Sequence, residues 1–399
     1  MKIFNDPVYG FISFPKTGIL LKIIDHPYFQ RLRRISQTAL THYVYPGALH
    51  TRFHHALGAY HLMTQAVEVL RQKGTHITPQ EAEGVYLAIL LHDIGHGPFS
   101  HALEHVIVDY HHEELSLYFM QILNEQFEGK LTLAIEIFTD KYEKKFLHQL
   151  VSGQLDMDRL DYLNRDSYFT GVSEGVVGYD RIIKMLNVVD GELVVEEKAI
   201  YSLEKFLIAR RIMYWQVYLH KTVLSAEQML KKVFERAKEL NQNNVEIPCS
   251  PALKYFFEAQ KAVKIKTNTK ELIEYFAKLD DIDIFASLKM WMIHDDFILA
   301  FLAGSILNRN LFKIKLQNVP FNAEEIEIVK QNTLNKLNLK NLKSEYLVFN
   351  GTESNRTYNT TKDTIKILSK SGEVKSITEM MDYELHNKNI YKYYLCYPK

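Results

Sequence analysis

A mostly α protein, with an all-helical core and a smaller C-terminal α+β lobe, is the fold class expected here. Three observations predict the helical core and the mixed lobe. Apolar residues recur at helical spacing through most of residues 1–240. Helix-start and helix-stop residues bracket those stretches. Beyond the polar run Asn241-Gln-Asn-Asn244 the texture changes, and short β-rich runs alternate with helical ones.

In chain order, Leu20, Leu21, Ile23, Ile24, Phe29, Leu32 and Ile35 supply the apolar positions of a helix centred on Asp25–Gln37. Tyr43-Val-Tyr-Pro-Gly47 reads as a turn or loop. From His54 to Lys73, apolar residues at 57, 60, 63, 67 and 70 mark one face of a helix that Gly74 stops. Thr78-Pro-Gln-Glu81 is a capping box with proline at the first helical position, so a further helix starts there. It carries the apolar run Val85–Leu91 into His92-Asp93 and ends at Gly95 and Gly97. Helical patterns continue over 112–128, 131–153, 155–169 and 178–187, a strand pair is expected within 192–200, and one long helix over 202–240. The second part reads as helices at 252–262, 270–278 and 281–307, strands at 311–317, 345–350, 364–369 and 390–397, and helices at 322–337 and 376–385. Two units are therefore expected, a core over 1–240 and a lobe over 241–399 suited to oligomerisation or regulation.

Composition narrows the function classes. The 399 residues hold 48 Lys plus Arg against 48 Asp plus Glu, so no broad attraction to nucleic acid or an anionic membrane is indicated. Cys249 and Cys396 form neither a zinc spacing nor a disulfide framework, which fits a reducing cytoplasm. The N-terminus lacks the apolar segment of a secretion signal, and Phe297–Leu307 is too short to span a bilayer. Thirteen of the 17 histidines fall within residues 26–112, which marks the first third as the chemical part.

His92 and Asp93 sit at the end of a buried helix whose C-terminal carbonyls favour a cation. His55 and an aspartate of Leu155–Asp166 are the further candidate ligands; in that stretch Asp158, Tyr162 and Asp166 share one helix face. Imidazoles with carboxylates suit Mn, Fe, Mg, Zn or Ni and leave positions open for water and a phosphate oxygen. Structural zinc is disfavoured because cysteine ligands are missing.

Seven segments together resemble the HD-domain phosphohydrolase superfamily, in its dNTP triphosphohydrolase branch. They are Phe4-Asn-Asp-Pro7, Ile24–Arg33, Val44–Gly58, Leu91–His101, His112-Glu113, Asp156–Asp166 and Tyr218-Leu-His-Lys221, in family order across slightly over half the chain. Residues beyond about 310 carry no such match, and a preceding SAM domain is not expected. The resemblance implies His55, His92, Asp93 and Asp158 as ligands of a divalent metal. It implies Arg52, Arg159, Arg210 and Lys221 against phosphates, with Arg159 standing where lysine is usual. His96 and His112 would lie beside the phosphates and His101 beside the departing 5′-oxygen, with Glu104 orienting a histidine. Gln37 and Asp166 would hold the 3′-hydroxyl. Tyr162 and Tyr218 would pack the deoxyribose and exclude a 2′-hydroxyl. Thr38 follows Gln37 where the human member of the branch has leucine. The implied reaction is attack of metal-bound hydroxide on the α-phosphorus of a dNTP, giving a deoxynucleoside and inorganic triphosphate. Asn5, Asp25, Gln30 and Arg33 match an effector site for an activating nucleotide with Mg at a subunit interface, so a homodimer or homotetramer is expected. The alternatives are HD chemistry on a signalling nucleotide, a monophosphate or a phosphodiester, or a nucleotide sensor without turnover.

Overall fold

The computed structural model describes residues 1–261, 269–339, 343–355, 364–381 and 390–399. The chain opens with a hairpin of β1 (Lys2–Asp6) and β2 (Gly10–Phe14), paired antiparallel from Lys2↔Phe14 to Asp6↔Gly10. The single helix expected around Asp25–Gln37 is instead three short pieces: α1 (Ile19–Asp25), α2 (Pro27–Gln30) and a 3₁₀ turn at Arg31–Arg34. Pro27 is the cause. It can start a helix but cannot continue one, and His26 ends α1 in extended backbone while its ring caps Tyr28.

The centre of the molecule is α3 (Arg52–Gln72), which packs against α4 (Pro79–Leu91) and α8 (Met157–Thr170). Phe53, Ala56, Met63, Ala66, Val67 and Leu70 are buried on α3. Helix α4 starts as expected: the Thr78 side chain accepts from the Glu81 N–H, and Glu81 accepts from the Thr78 N–H at 2.7 Å. Between α4 and α8 lie α5 (His112–Gln126), α6 (Thr132–Phe138) and α7 (Lys145–Val151). The helix expected over 131–153 is thus two helices, separated by Thr139–Lys144.

Two glycines permit the close approaches that build the site. A β-carbon at Gly58 would fall 2.0 Å from Asp161 Oδ1, and one at Gly95 would fall 2.3 Å from the backbone of both His112 and Ser116. Gly58 therefore lets α8 settle on α3, and Gly95 lets α5 settle on the His92-Asp93 turn.

After α9 (Tyr179–Lys184) the strands are β3 (Leu186–Val189) and β4 (Glu192–Glu196), earlier than the 192–200 expected. Asp190 and Gly191 both take positive φ, 52° and 78°, and make the two-residue hairpin turn. The long helix expected over 202–240 is broken. Helix α10 (Ile200–Met213) passes into a π-helical turn at Tyr214–Tyr218, and α11 (Lys221–Gln242) restarts with His220 capping Thr222.

Next come α12 (Pro251–Lys261), α13 (Thr269–Phe276), α14 (Asp281–Trp291) and α15 (Phe297–Leu307). The expected 281–307 helix divides because Asp296 caps a new start through the Leu299 N–H at 2.9 Å. The chain finishes with β5 (Lys313–Gln317), α16 (Ala323–Lys336), β6 (Phe349–Asn355), β7 (Lys366–Leu368), β8 (Val374–Ser376), α17 (Ile377–Met380) and β9 (Ile390–Tyr397). The strand expected at 345–350 begins as a 3₁₀ turn at Ser344–Tyr346. Of the helix expected at 376–385, residues 382–385 lie outside the described residues. Strand order is β5-β9-β6 in one antiparallel sheet, while β7 joins β4 in parallel, with Val195 opposite Ile367. The C-terminal α+β part thus shares a sheet with the helical core, and residue 240 lies inside α11. Among the described residues no helix is long and apolar enough to cross a membrane.

Candidate metal centre and substrate cavity

The N-terminal turn of α3, the C-terminal end of α4 and the first turn of α8 converge, and each brings a potential ligand. His55 is fully buried; its Nδ1 donates to Asp161 Oδ2 at 2.7 Å, which leaves Nε2 facing inward. His92 Nδ1 donates to the Ile89 carbonyl at 2.6 Å, so its Nε2 also faces inward and lies 3.3 Å from His55 Nε2. Asp158 Oδ1 stands 3.1 Å from His55 Nε2 and 3.5 Å from His92 Nε2. Asp93 completes the cluster, 3.6 Å from His55 Nε2 and 3.4 Å from His92 Nε2.

Two imidazole nitrogens facing each other at 3.3 Å, ringed by carboxylate oxygens, form a donor set that fits a divalent cation. The remaining ring nitrogens are already committed to acceptors, as metal-ligating histidines require. The electrostatics agree. Burial would lower the His55 pKa, but Asp158 and Asp161 raise it to about 10. Asp158 is held below the carboxylate range by His55 and His92 despite its burial. A pocket that binds a proton so firmly favours a metal cation for the same reason.

Outer partners hold this cluster in place. Arg165 donates to Asp161 through Nε at 2.9 Å and to Asp6 through Nη1 at 2.7 Å. Asp6 in turn accepts from the Val8 and Tyr9 N–H groups at 2.9 Å. Arg31, fully buried, donates to the carbonyls of Leu279 at 2.8 Å, Ile94 at 3.3 Å and His96 at 2.8 Å, and so fixes the turn that follows Asp93. Burial lowers its pKa to about 9, partly offset by Asp280 and Asp281.

Beside the cluster lies a cavity of about 450 Å³. Its wall brings together Gln37, Arg52, Asp93, His96, His101, His112, Asp158, Arg159, Tyr162, Asp166 and Tyr218. Arg52 pairs with Asp93 and donates to Ser100 Oγ at 2.8 Å. Arg159 pairs with Asp156, and its Nε is buried without a partner. The rings of His96 and His112 lie 4.0 Å apart, and His101 meets both edge to face at 5.0 and 5.1 Å. Glu104 joins two of them, accepting from His101 Nδ1 and from His112 Nδ1, each at 2.8 Å. Its carboxyl is held well below the usual range, the histidine hydrogen bonds overcoming its burial. His96 is 3.3 Å from Asp93 through Nδ1, yet neither ring nitrogen has a hydrogen-bond partner; burial and the nearby Arg52 hold its pKa well down. Asp166 accepts from Tyr218 Oη at 2.6 Å and from His50 Nε2 at 2.7 Å. Gln37 Oε1 is buried and unpartnered at the same wall.

Arg210 and Lys221 are not part of this wall: Arg210 bonds Gln154 at 3.3 Å, and Lys221 is exposed at the start of α11. Of the residues expected at an effector site, Asp25 pairs with Lys2 at 2.9 Å, and Gln30 Nε2 donates to the Ile24 carbonyl at 2.7 Å. Arg33 donates to Gln30 Oε1 at 2.8 Å and covers Phe53, and Asn5 lies exposed on β1. Sequence reasoning missed Asp161, Ser100 and the α11 face Glu227, Gln228 and Lys231. Asp161 had a signal: it lies one turn beyond Asp158 and four residues before Arg165, the spacing of a helical ion pair.

Residues 52–166 match the HD domain, and residues 177–247 match the HD associated region. The chain is 34% identical over 332 residues to the uncharacterized protein YwfO of Bacillus subtilis, covering 81% of this chain and 73% of that one. It is 32% identical over 284 residues to the deoxynucleoside triphosphate triphosphohydrolase SAMHD1 of Homo sapiens, covering 60% of this chain and 45% of that protein. The crystal structure of a phosphohydrolase from Bacteroides thetaiotaomicron superposes with a TM-score of 0.94 at 48% identity over 100% of both chains. Helices, donor set and similarity lead to one family, and this chain belongs to the HD-domain phosphohydrolases.

Proposed function

We propose that the chain is a divalent-metal-dependent deoxynucleoside triphosphate triphosphohydrolase, releasing a deoxynucleoside and inorganic triphosphate. One observation carries this reading: a single cavity runs from the Asp93 and Asp158 carboxylates, past Arg52 and Arg159, to the Tyr218–Asp166 hydrogen bond. The first end suits a metal and phosphates, and the second suits a sugar hydroxyl. The likeness to proteins named deoxynucleoside triphosphate triphosphohydrolases over about 60% of the chain supports it.

A divalent cation held by His55, His92, Asp93 and Asp158 would supply Lewis-acid charge and lower the pKa of a water molecule. Arg52 keeps Nη2 without a hydrogen-bond partner among the described residues and, with Arg159, faces the phosphates. His96 and His112 offer ring nitrogens to the same oxygens. His101, its Nδ1–H fixed on Glu104, directs Nε2 to the departing 5′-oxygen and delivers the proton there. Asp166 accepts from the 3′-hydroxyl and the Gln37 amide N–H donates to its oxygen, while Tyr162 and Tyr218, rings 6.3 Å apart, close the space a 2′-hydroxyl would need. Arg210 and Lys221 lie outside the wall and carry no part of this reading.

The test is phosphorus NMR of the products from all four dNTPs, singly and in pairs, with Mn, Mg and Fe. Inorganic triphosphate is the expected product. Orthophosphate or pyrophosphate in its place would point to different HD chemistry. Turnover appearing only in mixtures would show an activating nucleotide, for which the Asn5, Asp25, Gln30 and Arg33 surface of an assembly of two or four copies is the proposed seat.

A further inference from the structure

Glu227, Gln228 and Lys231 of α11 line the substrate cavity, and Glu353 reaches the same wall from β6. Gln228 Nε2 donates to Glu353 Oε1 at 3.5 Å, so the helix and the C-terminal strand meet there. Glu227 makes no hydrogen bond or ion pair among the described residues. Burial pushes its carboxyl up to about 8, with Lys231 opposing that rise and Glu353 adding to it. The Thr38 hydroxyl, on a residue 8% exposed, is buried without a hydrogen-bond partner and belongs to the same wall. A hydroxyl withdrawn from water and left unpaired costs free energy until a ligand or water satisfies it.

The charge of this wall decides which part of a nucleotide it can meet. Glu227 and Glu353 bring no positive charge to phosphate oxygens, and N–H donors of a bound ligand would draw the raised Glu227 carboxyl into its ionised form, so the wall suits the uncharged, hydrogen-bonding end. Guanine offers two adjacent donors, N1–H and N2–H₂, beside the acceptor O6. A carboxylate accepts from both donors, and an ammonium or amide donates to O6. Adenine and cytosine set one amine donor beside a ring acceptor that a carboxylate would repel. Thymine has one N–H between two carbonyls.

We propose that Glu227, Gln228, Lys231 and Glu353 form a nucleobase subsite that selects guanine. The proposal rests on reading the cavity as a dNTP site, and it gives the C-terminal lobe a direct part in substrate choice.

The experiment compares calorimetric Kd values for dGTP, dITP, dATP and dTTP on the metal-stripped full chain, with turnover measured in parallel on the Mn-loaded protein. dITP lacks the N2 amine and is otherwise the same shape. The subsite predicts that dGTP binds about tenfold or more tightly than dITP. It also predicts that E227Q and E353Q, each checked for an unchanged melting profile, bring that ratio below about threefold. Equal Kd values for dGTP and dITP in the unsubstituted protein overturn the subsite, whether or not either variant folds. A ratio that persists in both variants overturns it as well. Discrimination without release of inorganic triphosphate would sink the proposed reaction and leave the subsite standing. Release from all four dNTPs without preference would do the reverse.

Discussion

Asp161 accepts the Nδ1–H of His55 at 2.7 Å, and both residues are fully buried. That bond decides which His55 nitrogen is free, and it places Nε2 among His92, Asp93 and Asp158. Replacing Asp161 by asparagine keeps an acceptor but removes its charge and its pull on Arg165. The D161N variant is expected to bind Mn about 10–100-fold more weakly, as read by competition with a chelator. Unchanged affinity would mean that the orientation of His55 does not depend on this carboxylate.

The N-terminal hairpin takes part in the same arrangement. Asp6, at the end of β1, accepts from Arg165 Nη1 at 2.7 Å, and both side chains are buried. In D6A the guanidinium would keep Asp161 and lose its second carboxylate. Stability should fall by about 3 kcal/mol in denaturant titration, because a buried charge is left under-compensated. Metal affinity should fall with it. A D6A protein as stable as the parent would remove the hairpin from this account.

Glu104 holds both His101 and His112 by their Nδ1–H groups. A glutamine there offers one acceptor oxygen and no charge, so one histidine loses its orientation. E104Q should lower kcat by about tenfold or more with little change in KM, since the proposed reaction has the histidines act on the leaving oxygen and on charge developing at the phosphates. A rise in KM at constant kcat would show that Glu104 shapes binding instead.

The start of α4, which carries His92 and Asp93, depends on Glu81. Burial opposes its ionisation, but hydrogen bonds from Lys144, Tyr142 and the Thr78 N–H lower its pKa to about 2. A carboxylate depressed on folding contributes stability that is fully present above its unfolded value. That contribution is lost as pH falls toward the folded one. E81Q should therefore cost about 1 kcal/mol at pH 7, the ordinary worth of a cap, and progressively less between about pH 4 and pH 2. A cost independent of pH would contradict the ionic role.

The helical core was legible because Thr78-Pro-Gln-Glu81, Gly74 and the apolar spacing of α3 act locally, each within a turn or two. His55, His92, Asp93 and Asp158 stood out as candidates because three short motifs carry them, each with its own local pattern, and the fold brings all four together. The breaks were harder. Continuous apolar patterning hid the π-helical turn at Tyr214–Tyr218, which a tertiary contact explains: Tyr218 leaves α10 to reach Asp166. The division at Asp296 had a local signal, an aspartate ahead of an apolar run, which the hydrophobic periodicity masked. Glu353 could not be assigned to the cavity from sequence, because it lies 125 residues from its partner Gln228 and no local pattern records such a pairing.

The central claim is that the His55–His92–Asp93–Asp158 centre directs attack at the α-phosphorus of a dNTP. Hydrolysis in ¹⁸O-labelled water, followed by mass analysis of both products, tests it most directly. The account predicts one ¹⁸O in the released inorganic triphosphate and none in the deoxynucleoside. Label in the deoxynucleoside 5′-hydroxyl, or in released pyrophosphate or orthophosphate, would contradict it.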